Sequence, residues 1–138
     1  MDRTATAHWE GDLRSGKGSM KLGSGAFEGP FSFKTRFEDA PGTNPEELLG
    51  AAHAGCFSMA LSAGLFKAGK TATSIDTKVV VILEGLAITR IDLTTRAVVP
   101  GVTNAEVQAQ AEDAKANCIV SRALSAVPMT LQATLVTG

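Results

Sequence analysis

The chain has few of the residues that would place it in several large protein classes. Two cysteines, Cys56 and Cys118, occur in 138 residues, so neither a disulfide-dense secreted scaffold nor a four-cysteine zinc site can be built. The two histidines, His8 and His53, lie far apart in sequence, and a Cys/His metal centre would need more ligands than His53 and Cys56 supply, so His53 reads more readily as a satisfied core or interface histidine. No metal and no cofactor are expected. A dominant charge is also missing. Thirteen Lys+Arg against fourteen Asp+Glu give a formal net charge of -1, without the basic face that nucleic acid or an anionic membrane surface would attract. The N-terminus, Met1-Asp2-Arg3-Thr4-Ala5, has no apolar run behind a basic start, so no secretory signal is expected and a cytoplasmic location is. Walker-type loops, dinucleotide glycine fingerprints and Ser-His-Asp signatures are absent from the sequence.

What remains, 44% hydrophobic and 20% charged, is the composition of one soluble globular domain spanning residues 1–138. From Leu48 to Phe66 no residue is charged, which is long enough to raise the question of a membrane span. Gly50, Gly55, Gly64, Ser58, Ser62, His53 and many alanines dilute the stretch too far for lipid. A helix apolar nearly all round belongs instead at the centre of a globular core or a dimer. Its start is punctuated by Asn44 as a cap, Pro45 in the first turn and Glu47 three residues after the cap. Glu47 thus has a structural task, and Glu46 is the freer carboxylate.

Elsewhere the patterning alternates. Ile91, Leu93, Thr95, Ala97 and Val99 recur with period two, and Ile75 to Leu83 reads as a partner strand joined through Glu84-Gly85-Leu86-Ala87. Thr103 or Asn104 caps a second helix, with Glu106 completing a box and Val107, Ala111 and Ala114 at helical spacing. Asn117 is a candidate cap for a short turn to Leu124, and Met129 to Leu135 alternates as a last strand. Thr4 to Glu10, Gly18 to Leu22 and Phe31 to Phe37 read as three short N-terminal strands. The order predicts an α+β fold with antiparallel sheets and two core helices.

The plain reading of Cys56, among Ala54, Gly55, Phe57 and Met59, is a small buried hydrophobe. That of Cys118 is a helix-end filler. In a reducing compartment a cysteine pair is more often catalytic or redox-sensing than a staple. Redox work needs a thiolate, and in an apolar setting a thiolate needs a cation, for which Arg is suited by its permanent charge and rigid fork. Arg36 is one candidate; Arg14 and Lys17 are rivals, and for each the plain reading is a solvated surface charge.

The motif residues add a family resemblance to these readings. Ala7-His8-Trp9-Glu10-Gly11-Asp12 with Gly16-Lys17-Gly18, the long run Gly42-Thr43-Asn44-Pro45-Glu46-Glu47-Leu48-Leu49-Gly50 through His53-Ala54-Gly55-Cys56-Phe57-Ser58-Met59, Ser74-Ile75-Asp76-Thr77, and Cys118 with Ser121 together resemble the OsmC/Ohr family, nearest its OsmC branch. The resemblance covers almost the whole chain. It implies a thiol peroxidase for organic hydroperoxides in stress defence, an intertwined homodimer with active sites at the subunit interface. By the same carry-over Cys56 is the peroxidatic nucleophile, Cys118 the resolving cysteine, Arg36 the cation that holds the thiolate, and Glu46 the carboxylate that orients Arg36. The disulfide would be opened by an external dithiol, which in the Ohr branch is a lipoylated protein.

Two departures stand out. Ile119 occupies the position after the resolving cysteine where relatives often carry Pro, and the Ohr branch takes its arginine from the N-terminal hairpin, where Arg14 and Lys17 stand here. Ten positions separate Glu46 from Cys56, roughly 15 Å along an unbroken helix at about 1.5 Å rise per residue. Either the helix breaks between Gly50 and Gly55, or the Arg–Glu pair reaches Cys56 from the partner subunit. A different class of function, a dimer whose apolar interface pocket holds a hydrophobic ligand without catalysis, follows from the same uncharged helix. A third reading, a peroxide sensor that passes oxidation to a partner, is disfavoured because nothing resembles a DNA-reading element.

Overall fold

The structure, a computed structural model, describes residues 1–136. The chain forms two compact units, one from Met1 to Leu48 and one from Leu49 onward. The boundary falls inside a helix rather than in a linker.

The first unit is a three-stranded antiparallel sheet, β1 (Ala5–Glu10), β2 (Lys17–Leu22) and β3 (Glu28–Phe31), in the order β1-β2-β3. Trp9 pairs in register with Gly18, and the Trp9 and Phe31 rings lie 5.4 Å apart between centroids. Gly18 must lack a side chain here, because a Cβ would collide with the Phe31 ring and the His8 carbonyl oxygen. The expected third strand from Phe31 to Phe37 is corrected: β3 ends at Phe31 and a short helix, α1 (Phe33–Phe37), follows. Local capping overrides the apolar alternation. Ser32 Oγ accepts from the Thr35 amide at 3.3 Å while Thr35 Oγ1 accepts from the Ser32 amide at 2.8 Å, a reciprocal box that starts a helix.

The second unit has its own three-stranded sheet in the order β4 (Ser74–Glu84), β5 (Ala87–Val98), β6 (Met129–Val136). β4 and β5 form the expected hairpin, with Gly85 at a φ of +61° in the two-residue loop, the left-handed conformation that a tight turn asks of glycine. Ile91, Leu93, Thr95 and Ala97 all turn inward, as their alternation predicts. β6 departs from the all-antiparallel expectation and runs parallel to β5. The connection between them carries α3 (Asn104–Asn117) and α4 (Ile119–Ala123), and a crossover of that length is what parallel pairing needs. Thr103 and Glu106 form the predicted capping box at the start of α3, whose Val107, Ala111 and Ala114 are buried.

The long apolar helix is α2 (Pro45–Lys67), unbroken over 23 residues. The alternative of a break between Gly50 and Gly55 is therefore not realised. A helical glycine costs about 1 kcal/mol relative to Ala, and the surrounding alanines and leucines outweigh it. Its opening is capped as foreseen, with Asn44 Oδ1 accepting from the Glu47 amide at 2.8 Å. In the second unit, His53, Phe57, Leu61 and Leu65 recur every four residues as one buried stripe, packed into a core with Leu93, Ala97, Val107, Ala111 and Cys118. The opposite side is bare. Met59 is 76% and Phe66 72% exposed, and only 28% of the helix's most apolar stretch is buried.

Candidate active site

Each of the four expected residues takes its place from a local structural cause. Arg36 sits in the last turn of α1, not at a strand end, because Ser32 starts a helix just before it. Its guanidinium grips Glu46, with Nη2 donating to Oε1 at 2.7 Å and Nε donating to Oε1 at 3.1 Å and Oε2 at 3.2 Å. Glu46 lies in the first turn of α2, where the exposed amides favour a carboxylate, and it is buried. Glu47, its neighbour, accepts from the Thr43 hydroxyl at 2.8 Å. The two adjacent glutamates thus divide as anticipated, one into the local cap and one onto an arginine. Of the rival cations, Arg14 lies 5.0 Å from the Phe33 ring centroid and Lys17 is exposed at the start of β2. Arg36 is the one of the three with a carboxylate clasp among the described residues.

The two thiols lie in the second unit. Cys56 is half-buried on α2, one residue before the core stripe at Phe57, and packs against the core that includes Cys118. Cys118 is buried and separates α3 from α4. It serves as the cap of α4 itself, its Sγ accepting from the Ser121 amide at 3.3 Å. This corrects the expectation that Asn117 caps that turn. Asn117 is still in α3, its side-chain nitrogen donating to Asp113 Oδ1 at 3.0 Å, and the extended cap conformation falls on Cys118 instead. The extended backbone of Cys118, φ -61° and ψ 148°, is what a cap residue adopts, so Ile119 can stand where a proline would otherwise preset the turn.

Cys118 is also brought to the stretch of α2 that carries Cys56. Its Sγ donates to Ser121 Oγ at 3.1 Å, and Ser121 Oγ lies 2.7 Å from His53 Nε2, one helical turn before Cys56. On the other side Cys118 lines an open groove with Ala60, one turn after Cys56. The resolving candidate therefore faces α2 between the turns on either side of the peroxidatic candidate.

The sequence pointed to Ser121 only as part of a motif, and to His53 as a weak metal ligand and more readily a satisfied core or interface histidine. Both are buried, and they bond across 68 sequence positions. Cys118 and Ser121 stand at a cap's i, i+3 spacing, but the sequence pointed to Asn117 as the cap, and nothing in it announced the histidine beyond Ser121. Burial also pushes the His53 pKa below its ordinary 6.5, because desolvation penalises the imidazolium.

A two-sheet α+β fold, with a long central helix carrying one free cysteine and a second free cysteine beside it, defines a small cysteine-centred protein. The family described as OsmC-like protein matches residues 37–132, a span that includes Glu46, Cys56 and Cys118 and begins directly after Arg36. Peroxiredoxin OsmC of Escherichia coli (strain K12) is 51% identical over 131 residues, covering 91% of this chain and 92% of the relative, and Peroxiredoxin OsmC of Shigella flexneri gives the same figures. The chain belongs to the OsmC family. Among solved structures, an OsmC like protein from Mycoplasma pneumoniae shares the fold with a TM-score of 0.75 at 15% identity, covering 99% of this chain and 98% of that one. The Organic Hydroperoxide Resistance Protein OhrB of Bacillus subtilis does so with a TM-score of 0.64 at 20% identity, covering 94% and 97%.

Proposed function

We propose that the protein is a cysteine-based peroxidase that reduces organic hydroperoxides to alcohols as part of oxidative stress defence. The observation that carries this reading is the pair of free thiols, Cys56 on α2 and Cys118 on the segment packed against the same turns of that helix. Family membership and 51% identity to two peroxiredoxins support it.

The chemistry runs in three steps. The Cys56 thiolate attacks the distal oxygen of the hydroperoxide, the O–O bond breaks, the alkoxide leaves with a proton as alcohol, and Cys56 becomes a sulfenic acid. Cys118 Sγ then attacks that sulfur, forming the Cys56–Cys118 disulfide and releasing water. An external dithiol opens the disulfide by two exchanges, leaving itself oxidised; a lipoylated protein is a reductant of the right chemical class. An uncharged alkyl hydroperoxide needs no electrostatic steering, consistent with a net charge of -1.

Arg36 is the cation of this site and Glu46 its orienting partner. The carboxylate occupies the Nε and Nη2 edge of the guanidinium and leaves Nη1 available for a thiolate or peroxide oxygen. Because α2 is continuous, a fork clasped at Glu46 and a sulfur ten residues further along the same helix are roughly 15 Å apart along its axis. The pair therefore serves Cys56 of a partner subunit, and the working unit is a homodimer with residues 1–138 of each chain acting as one domain. The bare face of α2, with Met59 and Phe66, supports such a partner. The balanced composition and the absence of a basic face support a cytoplasmic protein that uses neither nucleic acid nor membrane.

One stoichiometric dose of a small alkyl hydroperoxide tests the reading. Mass spectrometry should show an intramolecular Cys56–Cys118 bond with the loss of about two mass units, and turnover with a dithiol should vanish in Cys56→Ser. Two unchanged thiols, or equal turnover in the variant, would reject the enzyme in favour of a dimer that only binds a hydrophobic ligand.

A further inference from the structure

The assignment of Cys118 as resolving thiol leaves one requirement unmet. It is buried, yet it must lose a proton to become a nucleophile. The atoms that meet this need form a chain. Cys118 Sγ donates to Ser121 Oγ at 3.1 Å, and Ser121 Oγ lies 2.7 Å from His53 Nε2, both within the reach of proton transfer. With the thiol donating to the hydroxyl, the single O–H of Ser121 is free to point at the imidazole.

We propose that Ser121 and His53 are positioning residues for the resolving step, a hydrogen-bonded relay that takes the Cys118 proton as its sulfur attacks oxidised Cys56. The proposal rests on the resolving role of Cys118 given above. In the step, the Sγ proton passes to Ser121 Oγ while the serine's own proton passes to His53 Nε2. Cys118 Sγ bonds to Cys56 Sγ, the S–O bond of the sulfenic acid breaks, and the departing hydroxide takes up one proton as water. His53 then returns its extra proton to solvent, so thiol plus sulfenic acid yields disulfide plus one water. In this step the Cys118 sulfur is oxidised and the sulfenic sulfur of Cys56 is reduced, both reaching the disulfide level, and the oxygen taken earlier from the hydroperoxide leaves in the water.

Two further features of His53 argue against simple space filling. It is 0% exposed, and its Nδ1 is buried without a hydrogen-bond partner. An imidazole kept only for packing leaves an uncompensated polar atom that an apolar side chain of similar volume would avoid. Burial also favours the neutral ring, which keeps a lone pair available for a proton. Ser121 likewise has two engagements, its amide on the Cys118 sulfur and its hydroxyl between thiol and imidazole.

The experiment separates the two chemical steps in a single turnover of the full-length protein with an alkyl hydroperoxide. Cys56 sulfenic acid is trapped with dimedone, and the disulfide is followed by mass. Ser121→Ala should form sulfenic acid at the parental rate but close the disulfide at least about tenfold more slowly. Ser121→Thr should restore closure, and His53→Gln, which keeps a hydrogen bond but has no basic nitrogen, should stay slow. Parental closure rates in Ser121→Ala or in His53→Gln would overturn the relay. If the parent makes sulfenic acid and never the Cys56–Cys118 bond, the resolving assignment beneath the proposal is what fails, and the relay falls with it. A second measurement needs no variant and no turnover: nitrogen-15 NMR of the reduced parent should show His53 Nε2 unprotonated. A protonated Nε2 in the neutral ring would overturn the relay even if a variant failed to fold.

Discussion

Phe66→Ala should weaken the proposed dimer by a calculable amount. Phe66 is 72% exposed on the side of α2 away from the core stripe of Phe57, Leu61 and Leu65, and Met59, two turns before it, is 76% exposed. Full burial of a Phe side chain stabilises by about 1.5–3 kcal/mol, and scaling by the exposed fraction leaves about 1–2 kcal/mol to be gained at a partner surface. A twofold dimer presents the same patch from both protomers, so each substitution is counted twice, giving about 2–4 kcal/mol. At about 1.4 kcal/mol per tenfold, the dissociation constant should rise roughly 30- to 700-fold. The monomer's own fold should be little affected, since Phe66 makes no part of its core. Sedimentation or light scattering across a dilution series measures the change, and peroxidase turnover should fall along the same dilution curve if Arg36 acts across the interface. A parent that is monomeric at micromolar concentration, or a Phe66→Ala dimer as tight as the parent, would refute the assignment of this face and the shared site with it.

Glu46→Gln keeps the side-chain volume but removes the charge that clasps Arg36, and misplacing a positioned cation costs on the order of 10- to 100-fold in rate. Single-turnover kinetics should show that loss in the peroxide step, with a stability cost of only about 1 kcal/mol because the Arg36 side chain is 43% exposed and screened; parental kinetics would remove the pair from the chemistry. His53 carries a pKa depressed by burial from 6.5. The unfolded chain therefore binds a proton more readily than the native one, and stability should fall as pH drops below about 6.5 and through the lower native value. Denaturant unfolding at a series of pH values checks this, and His53→Gln should remove that component of the acid slope.

Much of this architecture is written locally in the chain. The hairpin joining β4 and β5 follows from period-two alternation on either side of Glu84-Gly85-Leu86-Ala87, and the start of α3 from Thr103 and Glu106. Where reading by pattern failed, a short-range polar contact had won. The apolar residues between Phe31 and Phe37 suggested a strand, but Ser32 and Thr35 close a capping box only three residues apart, a contact with little loop-closure cost. At Cys118 the sulfur itself took the capping position that Asn117 was expected to fill, because α3 runs on through Asn117 and the first extended residue after it is Cys118. The parallel pairing of β6 with β5 was hidden for a different reason. Alternation reports which side of a strand is buried and carries no information on its direction.

The sequence by itself determined the elements that depend on near neighbours, since caps, turns and amphipathic periods are set within a few residues, and it supplied the two cysteines to which the proposed chemistry is assigned. It also separated Glu47 from Glu46 as cap and free carboxylate. Only the tertiary structure decided what those residues meet. It kept α2 continuous through Gly50 and Gly55, clasped Glu46 with Arg36, left Met59 and Phe66 uncovered, and set Ser121 between Cys118 and a histidine 68 positions away. Contacts of that separation come from how the helices pack on the sheet, and buried polar atoms then find partners wherever the packing has brought them.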